Sequence, residues 1–212
     1  MIACVTLETN HLFDGNPIAA QHRLRYRSVI ARQSWDVPTI RDLEYDDYDN
    51  PATTYLIARN SAGEAHGVCR LYPTDRPYML QRVFSHLVTD ITLPQSETVW
   101  EASRFCVDDR LAPEARRRVI QEIVVAYLEY GLDQGIARYI GLMYPAYWRN
   151  IFTRAGWDID WIGAESKLAS GHAIRAGWVA VTPEMLAKVR RTTGIHERVL
   201  SYGRASFTAQ AA

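Results

Sequence analysis

Glu101, Ser103 and Arg104 stand close together in the stretch Trp100-Glu101-Ala102-Ser103-Arg104-Phe105-Cys106-Val107. A carboxylate can take a proton from a reacting amine. A guanidinium can stabilise a developing oxyanion or clamp a carboxylate through two parallel hydrogen bonds. Trp, Phe, Cys and Val at the intervening positions favour a pleated strand. Side chains alternate across a strand, so Glu101 and Arg104 nominally face opposite sides. For both to serve one site the strand must bend or bulge near Arg104-Phe105, a device that re-aims side chains. A purely structural ion pair explains these residues equally well at this point.

A second group is acidic. Glu44, Asp46, Asp47 and Asp49 crowd into the connection 33–51, interleaved with Tyr45 and Tyr48 and preceded by Trp35. Carboxylates alone read as a solvated loop. Aromatic faces beside them suit a cationic organic ligand. Arg25 lies ten residues before Trp35, and Arg70 lies in the next strand-like segment. There is no GxSxG elbow, no Walker or dinucleotide glycine loop, no CxxC pair and no HExxH, so no metal site is expected. What remains is a carboxylate-plus-arginine site with aromatic walls. Acyl transfer to an amine needs proton removal and oxyanion stabilisation, and little else.

Composition bounds the rest. The 212 residues are 48% hydrophobic, and Lys+Arg and Asp+Glu balance at 24 each. That is an ordinary globular composition, with no bulk charge to attract nucleic acid and no apolar run long enough to insert in a membrane. Cys4, Cys69 and Cys106 are odd in number and widely spaced. They fit a reducing cytoplasm, and the N-terminus carries no secretory pattern.

The elements expected to position the candidates are a strand over 1–6, a helix over 18–32 carrying Arg23, Arg25, Arg27 and Arg32, and the long acidic connection. A hairpin of 53–59 and 66–72 follows, around Asn60-Ser61-Ala62-Gly63. Residues 78–87 read as a short helical or irregular piece. The Glu101 strand leads to a long helix from 112 that ends near 131–135. Strand 137–143, helix 147–155, strands 157–163 and 173–181 and helix 183–191 complete the order. The chain after 192 is weakly patterned, with a tail from about residue 202. The reading is one α/β domain over 1–212 with a mixed, mostly antiparallel sheet flanked by helices.

The motifs, taken together and in order, resemble the acyl-homoserine-lactone synthases, bacterial autoinducer synthases that use S-adenosylmethionine (SAM). Arg25 and Trp35 match the family's N-terminal Arg and Trp. Glu44, Asp46 and Asp49 match its E-x-D-x-x-D. Thr54-Tyr55-Leu56, Arg70, the E-x-S-R-F of Glu101, Ser103, Arg104 and Phe105, and the R-x-G-W of Arg154, Gly156 and Trp157 follow at agreeing spacing.

The resemblance implies an acetyltransferase (GNAT)-like fold, splayed to admit an acyl-phosphopantetheine arm, in a cytoplasmic bacterial enzyme. It implies that the amine of SAM attacks the thioester of an acyl carrier protein or acyl-coenzyme A. Lactonisation then releases methylthioadenosine (MTA). SAM and the acyl-thioester are substrates, and no prosthetic group is expected. In that scheme Glu101 is the general base, with Asp46 as competitor and Arg104 beside them. Arg25, Trp35, Asp46, Asp49, Arg104 and Phe105 bind SAM, and Glu44, Arg70 and Ser103 support the site. The alternative is a GNAT-like N-acyltransferase acting on a different amine.

Two departures bear on specificity. Val29 stands where the family often has Phe. Gly141-Leu142-Met143 carries no hydroxyl where members favouring 3-oxo chains place one. The expected acyl chain therefore lacks a 3-oxo group. Leu142, Met143, Tyr144, Trp148 and Trp157 would line an acyl pocket for a short, branched or aromatic acid, although helix-to-sheet packing accounts for the aromatic residues as well. Arg149 and Arg154, with Arg116-Arg117-Arg118, would meet donor phosphates or the acidic face of a carrier protein.

Overall fold

A computed structural model describes residues 1–31, 38–168 and 170–203. In chain order the elements are β1 (Ile2–Val5), α1 (Pro17–Arg25), β2 (Thr39–Ile40), β3 (Leu43–Glu44), β4 (Thr54–Arg59), β5 (Ala65–Pro73), α2 (Met79–Val83) and β6 (Val99–Val107). They continue with α3 (Pro113–Asp133), β7 (Arg138–Met143), α4 (Pro145–Ile151), β8 (Asp160–Lys167), β9 (Ala173–Ala180), α5 (Pro183–Thr193) and β10 (Leu200–Ser201). The fold is α/β, with a mixed sheet and flanking helices. The chain divides into two compact units. One holds Met1–Arg70, Arg104–Ala126 and the chain from Val199; the other holds Leu71–Ser103 and Tyr127–Arg198. Strands β5 and β6 and helix α3 each run from one unit into the other.

In the first unit the strand order is β10-β1-β4-β5, with β1 parallel to β10 and antiparallel to β4. All four residues of β1 are buried, as a continuous apolar run predicts. Val5, Leu24, Tyr55, Ile57, Val68 and Cys106 form its core. Helix α1 starts where Pro17 takes the first helical position and Asn16 accepts a hydrogen bond from the Ala19 N–H. Helix α3 sits on β5 over Gly67. A Cβ there would come within 2.6 Å of Val119 Cγ1 and 2.7 Å of Ile123 Cδ1, so only glycine permits the approach.

In the second unit the order is β6-β7-β9-β8, with β6 parallel to β7 and the other pairs antiparallel. Registered pairing of β6 with β7 runs from Val99↔Arg138 to Glu101↔Ile140, whereas β7 continues against β9 as far as Met143↔Arg175. The core is aromatic, with Tyr127, Tyr139, Phe152 and Trp157 in edge-to-face contact. Helix α5 is capped by the Thr182 hydroxyl, which accepts from the Met185 N–H at 3.1 Å, and it stops at Gly194, whose φ of 68° suits glycine.

Four expectations shift. The helix expected over 18–32 is α helical only to Arg25 and continues as a π-helical turn, Tyr26–Ala31. The acidic connection contains a small antiparallel ribbon, β2 with β3, turned through Arg41 at φ 57°. Strand β8 begins at Asp160, because Trp157 is spent on the aromatic core instead. The weakly patterned chain after 192 adds β10, whose two residues are too few to show a period. No helix among the described residues is long and apolar enough to cross a membrane.

Candidate active site

The first unit holds a buried ion network built from the acidic segment. Arg25, at the end of α1, donates through Nε to Glu44 Oε2 and through Nη1 and Nη2 to the two Asp49 oxygens at 2.7 and 2.8 Å. The Tyr55 hydroxyl on β4 donates to Asp49 Oδ1 at 2.7 Å. Arg70 on β5 donates to Asp46 Oδ1 at 2.5 Å and lies 3.2 Å from Asp49 Oδ1. Arg104 on β6 bonds Glu44 Oε1 at 3.1 Å and Asp46 Oδ2 at 2.6 Å. Three guanidinium groups thus meet three carboxylates. Arg25, Arg70 and Glu44 are wholly shielded from solvent. Buried charges are tolerated only when paired in this way.

Local geometry follows from the spacing of the acids. The Asp46 N–H donates to Asp49 Oδ2 at 2.8 Å, and the Tyr48 N–H donates to Asp46 Oδ1 at 2.9 Å. Asp side chains that cap their own turn in this way fold E-x-D-x-x-D into a compact loop. Both oxygens of each of these two carboxylates, the capping ones included, also accept from the arginines. Tyr48 adds a ring 5.7 Å from the Arg70 guanidinium carbon.

Arg104 reaches the network because β6 kinks there. Its φ is 53°, the left-handed region, inside a strand of otherwise ordinary residues. Such a backbone costs a non-glycine residue roughly 1–2 kcal/mol, and the two charged hydrogen bonds of its side chain offset that cost. The bend expected near Arg104-Phe105 is therefore a single left-handed residue. Ser103 and Phe105 flank it, both half-buried.

Charge states follow from the pairing. Burial pushes Asp49 up, but hydrogen bonds and charge from Arg25, then Arg70, pull it well below the carboxylate range. Asp46 is likewise raised by burial and lowered further by Arg70 and Arg104. Both are firmly ionised, so Asp46 is a weak proton acceptor. Arg25 would lose affinity for its proton through burial, yet Asp49 and Glu44 hold it charged. Burial and the Asp49 charge raise the Tyr55 phenol and keep it a donor.

Glu101 lies in the second unit and is 1% exposed. Its Oε1 accepts the Leu80 N–H at 2.6 Å and its Oε2 accepts the Met79 N–H at 3.2 Å. The carboxylate thereby holds the first turn of α2.

The remaining candidates divide. Leu142, Met143 and Tyr144 are half-buried at the end of β7. Trp148 is buried, donating from Nε1 to the Arg175 carbonyl at 2.9 Å, and its ring lies 3.4 Å from the Cβ positions that Gly141 and Gly177 lack. Trp157 is packed among Tyr127, Tyr139 and Phe152 and donates to the Ala180 carbonyl at 2.8 Å. Arg149 and Arg154 are exposed. Trp35 lies outside the described residues, as does the side chain of Val29.

Sequence reasoning did not single out His22, or Tyr55 by its own chemistry. His22 donates from Nδ1 to the Glu44 carbonyl at 2.7 Å. The only signal for it was its place one helical turn before Arg25.

The model of the autoinducer synthases matches residues 10–189. The chain belongs to the autoinducer synthase family. An acyl-homoserine-lactone synthase of Aliivibrio fischeri is 33% identical over 119 residues, 55% of this chain and 62% of that protein. The isovaleryl-homoserine lactone synthase of Bradyrhizobium diazoefficiens is 32% identical over 166 residues, 77% of this chain and 72% of that one. These relatives are acyltransferases, and autoinducer synthases use SAM and an acyl-thioester as substrates. Among solved structures, the CoA-dependent synthase BjaI with SAM and isopentyl-CoA superposes with a TM-score of 0.84 at 26% identity, covering 95% of this chain and 92% of that one. FeeM, an N-acyl amino acid synthase, shares the fold alone, with a TM-score of 0.56 at 13% identity over 89% of this chain and 95% of its own.

Proposed function

We propose that the chain is an acyl-homoserine-lactone synthase that acylates the amine of SAM and releases MTA. The observation that carries this reading is the buried Arg25–Glu44–Asp46–Asp49–Arg70–Arg104 network. A solvated acidic loop would leave these carboxylates exposed and unpaired, whereas here they are desolvated and matched charge for charge. Such a preorganised frame suits recognition of a cationic, carboxylate-bearing substrate. Arg25, Trp35, Asp46, Asp49, Arg104 and Phe105 bind SAM in this reading, and Glu44, Arg70 and Ser103 support them.

Glu101 takes the proton as the amine nitrogen attacks the thioester carbonyl. The carbon–sulfur bond then breaks, and the departing thiolate recovers the proton. The carboxylate oxygen of the acyl-methionine moiety next attacks its own γ-carbon. The sulfonium bond breaks and MTA leaves. Asp46 is the poorer base, because its partners Arg70 and Arg104 are cations that hold its carboxyl below the usual carboxylate range against the effect of burial.

We favour acyl-coenzyme A as donor and a short, branched acyl group without a 3-oxo substituent. The BjaI complex with isopentyl-CoA and the isovaleryl-homoserine lactone synthase among the relatives support this choice, as does the absence of a hydroxyl in Gly141-Leu142-Met143. Leu142, Met143, Tyr144 and Trp148 are the acyl-chain residues we assign, and Arg149 and Arg154 are the donor-phosphate contacts. One family model spanning residues 10–189 supports treating the chain as one functional domain. The odd number and burial of Cys4, Cys69 and Cys106 support a cytoplasmic setting.

The test is direct. Protein mixed with SAM and a panel of acyl-CoA and acyl-carrier-protein thioesters should release MTA, fastest with a branched short-chain acyl-CoA. Mass spectrometry then reads the acyl group. No MTA from any donor sinks the reading. Acylation of another amine without calorimetric binding of SAM would establish the general N-acyltransferase in its place.

A further inference from the structure

Glu44 is held at its main chain as well as at its carboxylate. In the β2-β3 ribbon the Tyr45 N–H donates to the Pro38 carbonyl at 3.2 Å. Hydrogen-bonded and open pairs alternate along antiparallel strands, so the neighbouring pair, Thr39↔Glu44, points its backbone groups out of the ribbon. Glu44 is wholly shielded from solvent, and a buried carbonyl needs a donor. His22 supplies it. Its Nδ1–H donates to the Glu44 carbonyl at 2.7 Å, and its ring meets Tyr55 edge-on at a centroid distance of 6.0 Å. His22 and Arg25 lie three residues apart on α1, so they share a helix face. Arg25 bonds the Glu44 carboxylate. One helix face thus grips both the main chain and the side chain of Glu44.

A carbonyl can only accept, so Nδ1 carries the hydrogen of the neutral ring. Burial first, and the Arg25 cation second, hold the imidazole below its usual 6.5, while Asp49 and Glu44 act in the opposite sense. The charged and titratable groups around the ring are Arg25 on α1, Glu44 and Tyr45 at the ribbon, Asp49 in the acidic segment and Tyr55 on β4. His22 also lines a cavity of about 200 Å³ with Ile40, Leu43 and Tyr45. Ile40 and Tyr45 are exposed, so this side of the ring is open to protons from solvent.

We propose that His22 is a positioning residue for SAM, fixing the Glu44 main chain so that its carboxylate bridges Arg25 and Arg104. This rests on the synthase reading above, in which Arg25 and Arg104 bind SAM. Glu44 Oε1 accepts from Arg104 Nε at 3.1 Å, so a displaced Glu44 loosens Arg104. The six side chains of the network balance in charge. A protonated His22 keeps its bond to the carbonyl but adds a cation beside Arg25. SAM carries a sulfonium and an ammonium against one carboxylate, and like charge disfavours this net cation. His22 therefore serves the site while neutral.

Two substitutions test the assignment. His22→Leu keeps bulk and removes the donor, whereas His22→Asn keeps an N–H donor. At neutral pH, calorimetry should show SAM bound about tenfold more weakly by His22→Leu, the scale of one lost buried hydrogen bond. His22→Asn should rescue that loss. KM for the acyl donor should not move in either. Wild-type SAM affinity should fall as pH drops below about 6.5, through the lower value of the folded protein, and His22→Asn should show no such fall. SAM itself does not titrate in that window, because an α-amine has a pKa of about 8 and an α-carboxyl one of about 3.5. Unchanged SAM affinity in His22→Leu, even with a lower Tm, marks a purely structural role and overturns the proposal. An equal acid fall in the wild type and His22→Asn also overturns it, and that comparison stands even if His22→Leu fails to fold. Absence of SAM binding by the wild type at every pH is a different result, and it removes the synthase reading itself.

Discussion

At the scale of single residues, Glu101 carries two duties that can be separated by substitution. It holds the start of α2 through two backbone N–H groups, and it is the base we assign. Glu101→Gln keeps one acceptor but turns an amide NH₂ toward a backbone N–H. A buried donor left without its acceptor costs about 1–3 kcal/mol, which urea unfolding should detect. Loss of a general base costs about 100-fold or more in kcat. SAM affinity should survive, because the assigned SAM-binding residues are unaltered. Near wild-type turnover in Glu101→Gln would return the role of base to another group. Asp46 is poorly suited to inherit it, since two arginines keep it ionised and occupied.

At the scale of elements, β6 shows how one backbone angle converts a strand into a support for the site. Arg104 is the one position in that strand with positive φ, at 53°. Arg104→Ala and Arg104→Gly both remove the bonds to Glu44 and Asp46, so both should be destabilised. The two should differ by about 1 kcal/mol in favour of glycine, because only alanine still bears the left-handed penalty. Equal stabilities would show that the strand relaxes to a regular conformation once the ion pairs are gone. Helix α3 depends on a comparable detail, the missing side chain of Gly67 beneath Val119 and Ile123.

At the scale of the whole molecule, the titratable groups set a stability profile in two acid steps. Burial, then the Arg25 cation, hold the His22 imidazole below its usual 6.5. As pH falls the unfolded chain binds this proton first. The contribution of neutral His22 is therefore full above about pH 6.5 and is lost as pH falls through the lower folded value. Asp46 and Asp49, raised by burial but lowered more by their arginines, contribute fully above pH 3.8 and lose that contribution below it. Asp108, lowered to about 2 mainly by the Arg110 hydrogen bonds, loses its contribution between pH 3.8 and about 2. Urea titrations across pH should show both steps. In His22→Asn, which can still donate to the Glu44 carbonyl, the first step should be absent. A first step that persists unchanged would assign it to another group.

The sequence by itself determined the motif set, the α/β order, the hairpin 53–72 and the clustering of Glu44, Asp46 and Asp49 in one acidic connection. These depend on contacts a few residues apart, such as the Asp46–Asp49 hydrogen bond across three positions. Sequence also required a kink near Arg104-Phe105, because alternation along a strand left Glu101 and Arg104 on opposite faces. Tertiary structure decided which charges meet. Arg25 pairs with Glu44 across 19 positions, Arg70 with Asp46 across 24 and Arg104 with Glu44 across 60. It also decided that Trp157 packs in a core and that the Tyr78 hydroxyl has no acceptor among the described residues. Local spacing specifies only local bonds. The partner of a buried charge, ring or hydroxyl is settled when distant segments pack together and exclude water.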